Sequence, residues 1–222
     1  MQQWLMVIPV LLFSVVVHEC AHGLAAERCG DPTARMLGRI TLNPVPHIDP
    51  VGSILVPVIL LLTNSSIFFA WARPVPVNPY NYRNPRRDDI IVSVAGPVSN
   101  LLLAFVFSGV LLVFILFISA GKGGELSVFS RSLIELLRYG IWINLILAFF
   151  NLIPIPPLDG SHILRNLLSP EAARKYDRVQ PYGFLILLAM IYFNLLAIFF
   201  LPARLIFSAI LKVIVALSSL VY

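Results

Sequence analysis

Residues 4–24 read WLMVIPVLLFSVVVHECAHGL, an apolar stretch with a His-Glu-x-x-His pattern close to its end. The stretch predicts a helix, and residues four apart share one face of a helix. His18 and His22 can therefore reach one Zn²⁺, while Glu19 addresses the water that the ion activates. Ionisable groups at membrane depth are costly and usually functional. The stretch thus predicts zinc-dependent hydrolysis inside a lipid bilayer.

The composition of the chain is that of an integral membrane protein. Of its 222 residues, 59% are hydrophobic and 12% are charged, whereas about a quarter of the residues of a soluble domain are charged. The net charge is only +5, and most basic residues lie between apolar segments. This pattern is typical of membrane topology and contact with lipid head groups, and it argues against nucleic-acid binding. We expect a multi-pass protein of the plasma membrane.

The first apolar stretch has the length of a signal peptide but lacks its basic leading region, since Gln2 and Gln3 precede it. Cleavage near residues 23–26 would also remove the His-Glu-x-x-His pattern, so we expect the stretch to be retained. The two cysteines, Cys20 and Cys29, provide no disulfide framework. Cys20 lies within the pattern and is expected to face away from the metal.

The order of apolar segments predicts an all-α polytopic membrane protein. The segments lie at 4–24, 51–72, 90–118, 139–158, 183–201 and 203–221. Five of them are long enough to span a bilayer, and 51–72 would make a sixth span if it crosses fully. Pro57 and a turn-like Asn64-Ser65-Ser66 interrupt that segment, and the β-prone residues 67–71 follow. We therefore favour a re-entrant or β-hairpin element between the first span and the span at 90–118.

The distribution of basic residues favours the re-entrant alternative. If 51–72 crosses the membrane fully, Lys and Arg are almost evenly divided between its two sides. If 51–72 instead returns to the side it came from, the division is eleven to four, with Lys212 uncounted. Cytoplasmic loops carry the excess of positive charge. The same alternative brings the carboxyl ends of the first and fourth segments to one face. We expect the active site to open nearer the cytoplasmic face.

A catalytic zinc site needs a third protein ligand, and the best candidate is Asp159. Pro154, Pro156 and Pro157 end the preceding helix and hold the chain extended, so a carboxylate can be presented from a rigid segment. The alternative is that Asp159 merely caps a helix at residues 161–168, and spacing alone leaves both open. Two further carboxylates, Asp88 and Asp89, are expected to lie in a solvated loop beside basic residues.

Three blocks together resemble the site-2 protease family, which consists of membrane-embedded zinc metalloproteases of peptidase family M50. They are His18-Glu19-x-x-His22, Ala95-Gly96-Pro97-Val98-Ser99-Asn100 and the block from Asn151 to Leu158-Asp159-Gly160. Segments 43–52 and 71–79 also resemble the compact branch of this family, so that the resemblance covers about residues 14–165. We expect a single membrane-embedded domain over residues 1–222, with its core at 4–165, additional spans at 183–221, and no PDZ or CBS domain.

The resemblance implies that His18, His22 and Asp159 bind one Zn²⁺ per chain and that Glu19 is the general base. It also implies transmembrane proteins as substrates, cleaved within the lipid bilayer. Two other classes remain open: a pseudoprotease that binds metal without proteolysis, and a transporter. Intact Glu19 argues against the first, and the lack of paired discontinuous helices argues against the second. The sequence assigns no oligomeric state.

Several polar residues near these blocks have two interpretations. His47 either makes a structural hydrogen bond or helps to hold an oxyanion, and Asn100 either joins helices or binds the substrate backbone. His162 either lies near the metal or on an exposed helix face. The Pro-rich segments 41–50 and 67–79 either clamp an extended substrate by β-augmentation or plug the site.

Overall fold

The computed structural model describes residues 2–63, 71–120 and 127–219, and within these ranges every regular element is helical, as predicted. The α-helices are α1 (Gln2–Cys29), α2 (Thr33–Met36), α3 (Val56–Leu62), α4 (Pro85–Ala120), α5 (Val128–Asn151), α6 (Asp159–Leu167), α7 (Pro170–Asp177), α8 (Gly183–Tyr192), α9 (Leu196–Phe199) and α10 (Leu201–Ser219). Short 3₁₀ turns lie at Val45–His47, Pro79–Asn81 and Gln180–Tyr182, and a π-helical segment lies at Pro50–Leu55.

Four of the described helices are long and apolar enough to cross a membrane. They are Met6–Cys29 of α1, Pro85–Ser119 of α4, Val128–Asn151 of α5 and Leu201–Ser219 of α10. The sequence predicts five spans, and the difference lies at 183–201, which forms α8 and α9 instead of one helix. Asn194 between them has a φ of 55°, a left-handed conformation that asparagine tolerates better than most residues and that ends a helix.

The predicted re-entrant element is described only in its first half. Pro50–Leu55 begins where the Asp49 carboxylate accepts hydrogen bonds from the backbone N–H groups of Val51 and Gly52, which is a helix cap. Helix α3 follows directly. The predicted turn and most of the predicted strand fall on residues 64–70, which lie outside the described residues, so the hairpin stays a prediction.

Helices α1 and α4 run antiparallel. Ala26 of α1 packs with Val92 of α4 in one apolar cluster. Earlier in α1 and later in α4, the Asn100 amide donates a hydrogen bond to the Ser14 carbonyl. The chain therefore leaves α1 and enters α4 at the same end of the bundle. Helix α1 ends at Cys29, and the next residue, Gly30, has a φ of 111° that is unfavourable for any other residue.

Helices α4, α5 and α10 enclose the main apolar core. Its buried residues are Ala104, Leu111, Leu137, Ile141, Leu145, Ala203 and Ile214. Large side chains on the outer faces remain exposed, among them Phe105 at 76% and Phe117 at 78%, as expected of helices that face lipid. The core thus holds the three helices together, and the polar residues described next lie outside it, on α1 and α6.

Candidate metal centre

Three ligand-type side chains converge where α1 meets the start of α6. The Nε2 atoms of His18 and His22 lie 3.0 Å apart, and they lie 3.2 and 3.3 Å from Oδ2 of Asp159. Helix α6 begins at Asp159, yet this carboxylate makes no capping hydrogen bond. The structure therefore brings together the three predicted ligands, and the capping interpretation of Asp159 is wrong.

The hydrogen bonds of the two imidazoles fix where their protons lie. His22 Nδ1 is 2.7 Å from the backbone carbonyl oxygen of Val92, which can only accept. His18 Nδ1 is 2.6 Å from Oδ1 of Asn100, and the Asn100 amide group is turned this way because its Nδ2 donates to the Ser14 carbonyl and to Asn144. Both Nδ1 atoms therefore donate, so that the lone pair of each neutral imidazole lies on Nε2, the atom that faces Asp159.

This arrangement fits a zinc ion. Two imidazole Nε2 atoms and a carboxylate oxygen face one another, and Oδ2 of Asp159 is buried without a hydrogen-bond partner among the described residues. Two His with one carboxylate is a ligand set of catalytic zinc sites. The three groups lie within 4.8 Å of one another, close enough for one ion.

A buried polar network supports His18 from behind. Asn144 of α5 accepts from Asn100 and donates to Ser14 Oγ at 2.8 Å and to the Gly140 carbonyl at 2.8 Å. Ser14, Asn100 and Asn144 are all 0% exposed. The network joins α1, α4 and α5 and fixes the ring orientation of His18. It favours the helix-joining interpretation of Asn100. The sequence signal that could have revealed this network is Asn144, because its amide side chain stands within an apolar helix.

Gly96 forms the wall behind the two histidines. A Cβ atom at this position would lie within 3.0 Å of the Nε2 atoms of both His18 and His22. The adjoining Pro97 is likewise fully buried. The space that a methyl group would fill is thus part of the site, which explains why a glycine stands there.

Asp159 is presented by a segment with little freedom. A Cβ at Gly160 would overlap the backbone carbonyls of Leu152 and Ile153, so helix α6 starts in close contact with the end of α5. The Tyr176 hydroxyl donates to the carbonyl of Pro154 at 2.9 Å. These contacts hold the Pro-rich turn against the bundle and keep the carboxylate directed at the imidazoles.

Glu19 is held by the extended segment 71–78, here called the strap. Its Oε2 accepts a hydrogen bond of 2.7 Å from the backbone N–H of Val75. The Arg39 guanidinium donates to the carbonyls of Arg73 and Pro74 at 3.0 and 3.2 Å, and the N–H of Arg73 donates to the His47 carbonyl at 2.9 Å. The strap and the proposed base therefore share one hydrogen-bonded frame.

His47 is part of that frame and not of the metal centre. Its side chain is 1% exposed, and its Nε2 lies 3.0 Å from the carbonyl of Thr41. The same carbonyl accepts from Cys20 Sγ at 3.0 Å, so Cys20 faces away from the metal ligands as predicted. The structural interpretation of His47 is therefore the better one.

A cavity of about 740 Å³ opens beside the three ligands and Glu19. Strap residues form part of its wall, and Asp89 and His162 also line it. Asp88 instead accepts from the backbone N–H of Asn84 at the start of α4. Asp89 faces α6 and does not join the ligand cluster. Neither residue joins the ligand cluster, and the expectation of a solvated loop is wrong, because both belong to α4 and are largely buried. His162 lines the cavity and is also 54% exposed, so it lies both near the site and on an exposed helix face.

The structure thus defines a membrane-embedded candidate metallopeptidase site, and comparison with known proteins identifies the family. The model of peptidase family M50 matches residues 6–194, and the chain belongs to this family. The resemblance drawn from the sequence is confirmed, and the match extends beyond residue 165. Family membership makes the protein a membrane zinc metalloendopeptidase with Zn²⁺ as its cofactor.

Individual relatives carry the same description. The chain is 41% identical over 181 residues to the candidate zinc metalloprotease YwhC of Bacillus subtilis, covering 81% of this chain and 77% of that protein. It is 30% identical over 188 residues to the candidate zinc metalloprotease Rip2 of Mycolicibacterium smegmatis, covering 85% and 67%. It is 26% identical over 168 residues to the zinc metalloprotease MJ0392 of Methanocaldococcus jannaschii, covering 76% and 36%. No solved structure matches the chain significantly.

Proposed function

We propose that this protein is an intramembrane zinc endopeptidase that hydrolyses peptide bonds of transmembrane substrates. His18, His22 and Asp159 hold one zinc ion, and Glu19 is the general base. The observation that carries the proposal is the convergence of three ligand-type atoms, at 3.0 to 3.3 Å, beside the Glu19 carboxylate in a cavity. The whole chain forms one membrane domain, with the catalytic core at 4–165 and a C-terminal part at 183–221 that contains the span Leu201–Ser219.

The side chains around the cavity divide the chemistry between them. Zinc bound there supplies Lewis acidity, which polarises the scissile carbonyl and makes water nucleophilic near neutral pH. The Glu19 carboxylate takes a proton from the attacking water and passes it to the leaving amine. Its hydrogen bond from Val75 leaves Oε1 to face the water, so the strap orients the base for that transfer.

Substrate must reach this cavity in an extended form, because a helix hides its peptide carbonyls in hydrogen bonds. The strap has no helical structure, lies beside Glu19 through the hydrogen bond from Val75 and lines the cavity. We propose that it clamps an unwound stretch of the substrate beside the zinc site. β-Augmentation of this kind draws affinity from backbone hydrogen bonds.

The site opens towards the cytoplasmic face in this proposal. The carboxyl end of α1 and the amino end of α4, which flank residues 30–84, lie at that same face. Because the chain thus enters α4 at the face where it left α1, a re-entrant course for 51–72 is supported. The excess of basic residues on this side supports its cytoplasmic location. Single cysteines replacing Met36 and Tyr80, which are 79% and 97% exposed, should both react with an impermeant thiol reagent from the cytoplasmic side only. Labelling from opposite sides would overturn the re-entrant course.

The function is tested on the full chain in detergent with a model transmembrane peptide. We expect one zinc per chain and cleavage by the native protein. Glu19→Gln should keep the zinc and lose cleavage by about 10²–10⁴-fold, the usual contribution of a general acid–base group. The matched control is Glu27→Gln on the same helix, because Glu27 pairs with Arg35 at the surface.

Each alternative class has its own outcome in this experiment. A pseudoprotease would bind zinc without cleaving the peptide in its native form. If the protein were a transporter, both the native protein and the Glu19→Gln variant would move metal ions across the membrane of proteoliposomes. Cleavage by Glu19→Gln at the native rate would remove Glu19 from the role of base.

A further inference from the structure

A second His–Asp pair lies in the same cavity as the metal centre. His162 Nδ1 is 3.6 Å from Oδ2 of Asp89, and the Asn166 amide donates to the same carboxylate oxygen. The Asp89 side chain is 15% exposed, while that of His162 is 54% exposed and lines the cavity. His162 stands three residues after Asp159 on α6 and therefore on nearly the same helix face.

The surroundings of His162 favour its protonated form. The ion pair with Asp89 of α4 raises the pKa of the imidazole above its ordinary value, and burial opposes this only in part. Of the other charges near it, Asp159 acts in the same direction and Arg165 acts against it. Because the Asp89 carboxylate faces Nδ1 at 3.6 Å, the other N–H of the imidazolium, at Nε2, is not engaged by this ion pair. That atom has no hydrogen-bond partner among the described residues.

The cavity otherwise lacks a cationic donor. No Lys or Arg is among its described lining residues. His18 and His22 present lone pairs, and Glu19 and Asp159 accept. The carbonyl oxygen of a scissile bond gains negative charge as water adds to it, and a preorganised donor at that oxygen lowers the barrier.

We propose that His162 is a further catalytic residue, whose imidazolium donates a hydrogen bond from Nε2 to the oxygen of the scissile carbonyl as that oxygen becomes negative. Asp89 is its positioning residue, and Asn166 holds Asp89. The proton stays on His162 throughout, so the balance of the hydrolysis is unchanged. The inference rests on the proposed function. The competing explanation is structural: the pair would only fasten α6 to α4 and thereby place Asp159.

The first experiment compares kinetics with zinc content in the full-length protein. His162→Ala should lower kcat by about 10²–10³-fold, the usual effect of removing one oxyanion donor, and leave KM, zinc content and thermal unfolding nearly unchanged. His162→Gln, a neutral donor of similar reach, should restore part of the loss and remove the alkaline decline of kcat that follows deprotonation of His162. Asp89→Asn should shift that decline to lower pH.

The matched control is Arg165→Gln on the same helix, because Arg165 pairs with Asp177 at the surface through a bond of 2.7 Å. It should leave kcat near neutral pH unchanged and move the alkaline decline to higher pH, because Arg165 lowers the pKa of His162. Loss of zinc or of thermal stability in parallel with kcat in His162→Ala would overturn the inference in favour of the structural explanation. An unchanged kcat would overturn it as well.

A second measurement does not depend on turnover. A phosphinic peptide carries the tetrahedral, negatively charged geometry of the transition state, and such mimics bind more tightly than substrates. We expect His162→Ala to weaken binding of the phosphinic peptide to the zinc-loaded protein by at least about 10²-fold. Binding of the matching substrate peptide to Glu19→Gln should not change when His162→Ala is added. If His162→Ala weakens the binding of both peptides equally, the inference is overturned. The proposed function is tested separately, by the loss of activity in Glu19→Gln alone.

Discussion

His18 Nδ1 and Asn100 Oδ1 lie 2.6 Å apart across two membrane helices, 82 positions apart in the chain. This hydrogen bond fixes the proton on Nδ1 and thereby directs the Nε2 lone pair at the candidate zinc position. A ligand imidazole and its outer hydrogen-bond partner act as a unit, because the partner sets both tautomer and ring orientation.

Asn100→Ala should therefore weaken zinc binding by about 10–100-fold, the usual effect of losing such a partner. Competition with a zinc chelator in detergent measures the change. Asn43→Ala, in an exposed loop, is the control and should bind zinc as the native protein does. Native affinity in Asn100→Ala would mean that Asn100 does not orient His18.

Gly96→Ala should abolish zinc binding and cleavage, since its Cβ would stand within 3.0 Å of both imidazoles and the buried backbone of α4 leaves it no room to move. Gly109→Ala on the same helix meets no atom within 4 Å. It should retain activity and gain about 0.5–1 kcal/mol of helix stability. Bound zinc per chain and thermal unfolding distinguish the two variants. Full zinc content in Gly96→Ala would contradict the close approach of α4 to the two imidazoles.

Val75→Pro removes the N–H that donates to Glu19 and keeps an apolar side chain. We expect kcat to fall by at least about tenfold, because the carboxylate loses a charge-assisted hydrogen bond, while zinc content stays unchanged. Val75→Ala keeps the N–H and is the matched control, with kcat near that of the native protein. If both variants lose activity equally, the side chain and not the amide is what matters.

Asp31 joins the end of α1 to the turn after the strap. Its buried carboxylate accepts from the backbone N–H of Asn78 at 2.6 Å, from Asn81 Nδ2 at 2.8 Å and from Thr33. Burial acts to raise the pKa of Asp31, but these hydrogen bonds outweigh it and lower the pKa below its ordinary value. Because folding lowers the pKa of Asp31, its ionised carboxylate stabilises the fold at pH values above the ordinary pKa. This stabilisation is lost as the pH falls through the lowered pKa.

Asp31→Asn should therefore lower the free energy of unfolding near neutral pH by about 1.5–3 kcal/mol, the range for hydrogen bonds to a charged group. The gap between native protein and variant should close as the pH falls through the lowered pKa of Asp31. Thermal unfolding in detergent at several pH values measures this. Asp177→Asn, an exposed carboxylate paired with Arg165, is the control. A gap that persists at low pH would rule out the ionised carboxylate as the cause.

The sequence identified most of the metal centre because the chemistry itself is written in short patterns. His18, Glu19 and His22 lie within one turn and a half of one helix, so helical geometry alone brings them together. Asp159 lies far away in the chain, and spacing left its role undecided between ligand and cap. Only the packing of α5 and α6 against α1 brings it within 3.3 Å of both imidazoles.

Other parts of the site could not be predicted, because they consist of backbone groups or depend on which helices meet. The carbonyl of Val92 and the N–H of Val75 carry no side-chain signal, since every non-proline residue has the same groups. The pairing of Asp89 with His162 depends on how α4 crosses α6. The break at Asn194 was also missed, because an apolar run hides a change of backbone conformation.

By itself, the sequence determined that this chain is a helical membrane protein of peptidase family M50 with a His-Glu-x-x-His zinc pattern, because composition, apolar length and short spacings are local properties. The tertiary structure alone decided which carboxylate lies beside the two imidazoles, which groups form hydrogen bonds with their Nδ1 atoms and what faces the cavity. Those features depend on contacts between helices that are distant in sequence, and such contacts are fixed only when the helices pack.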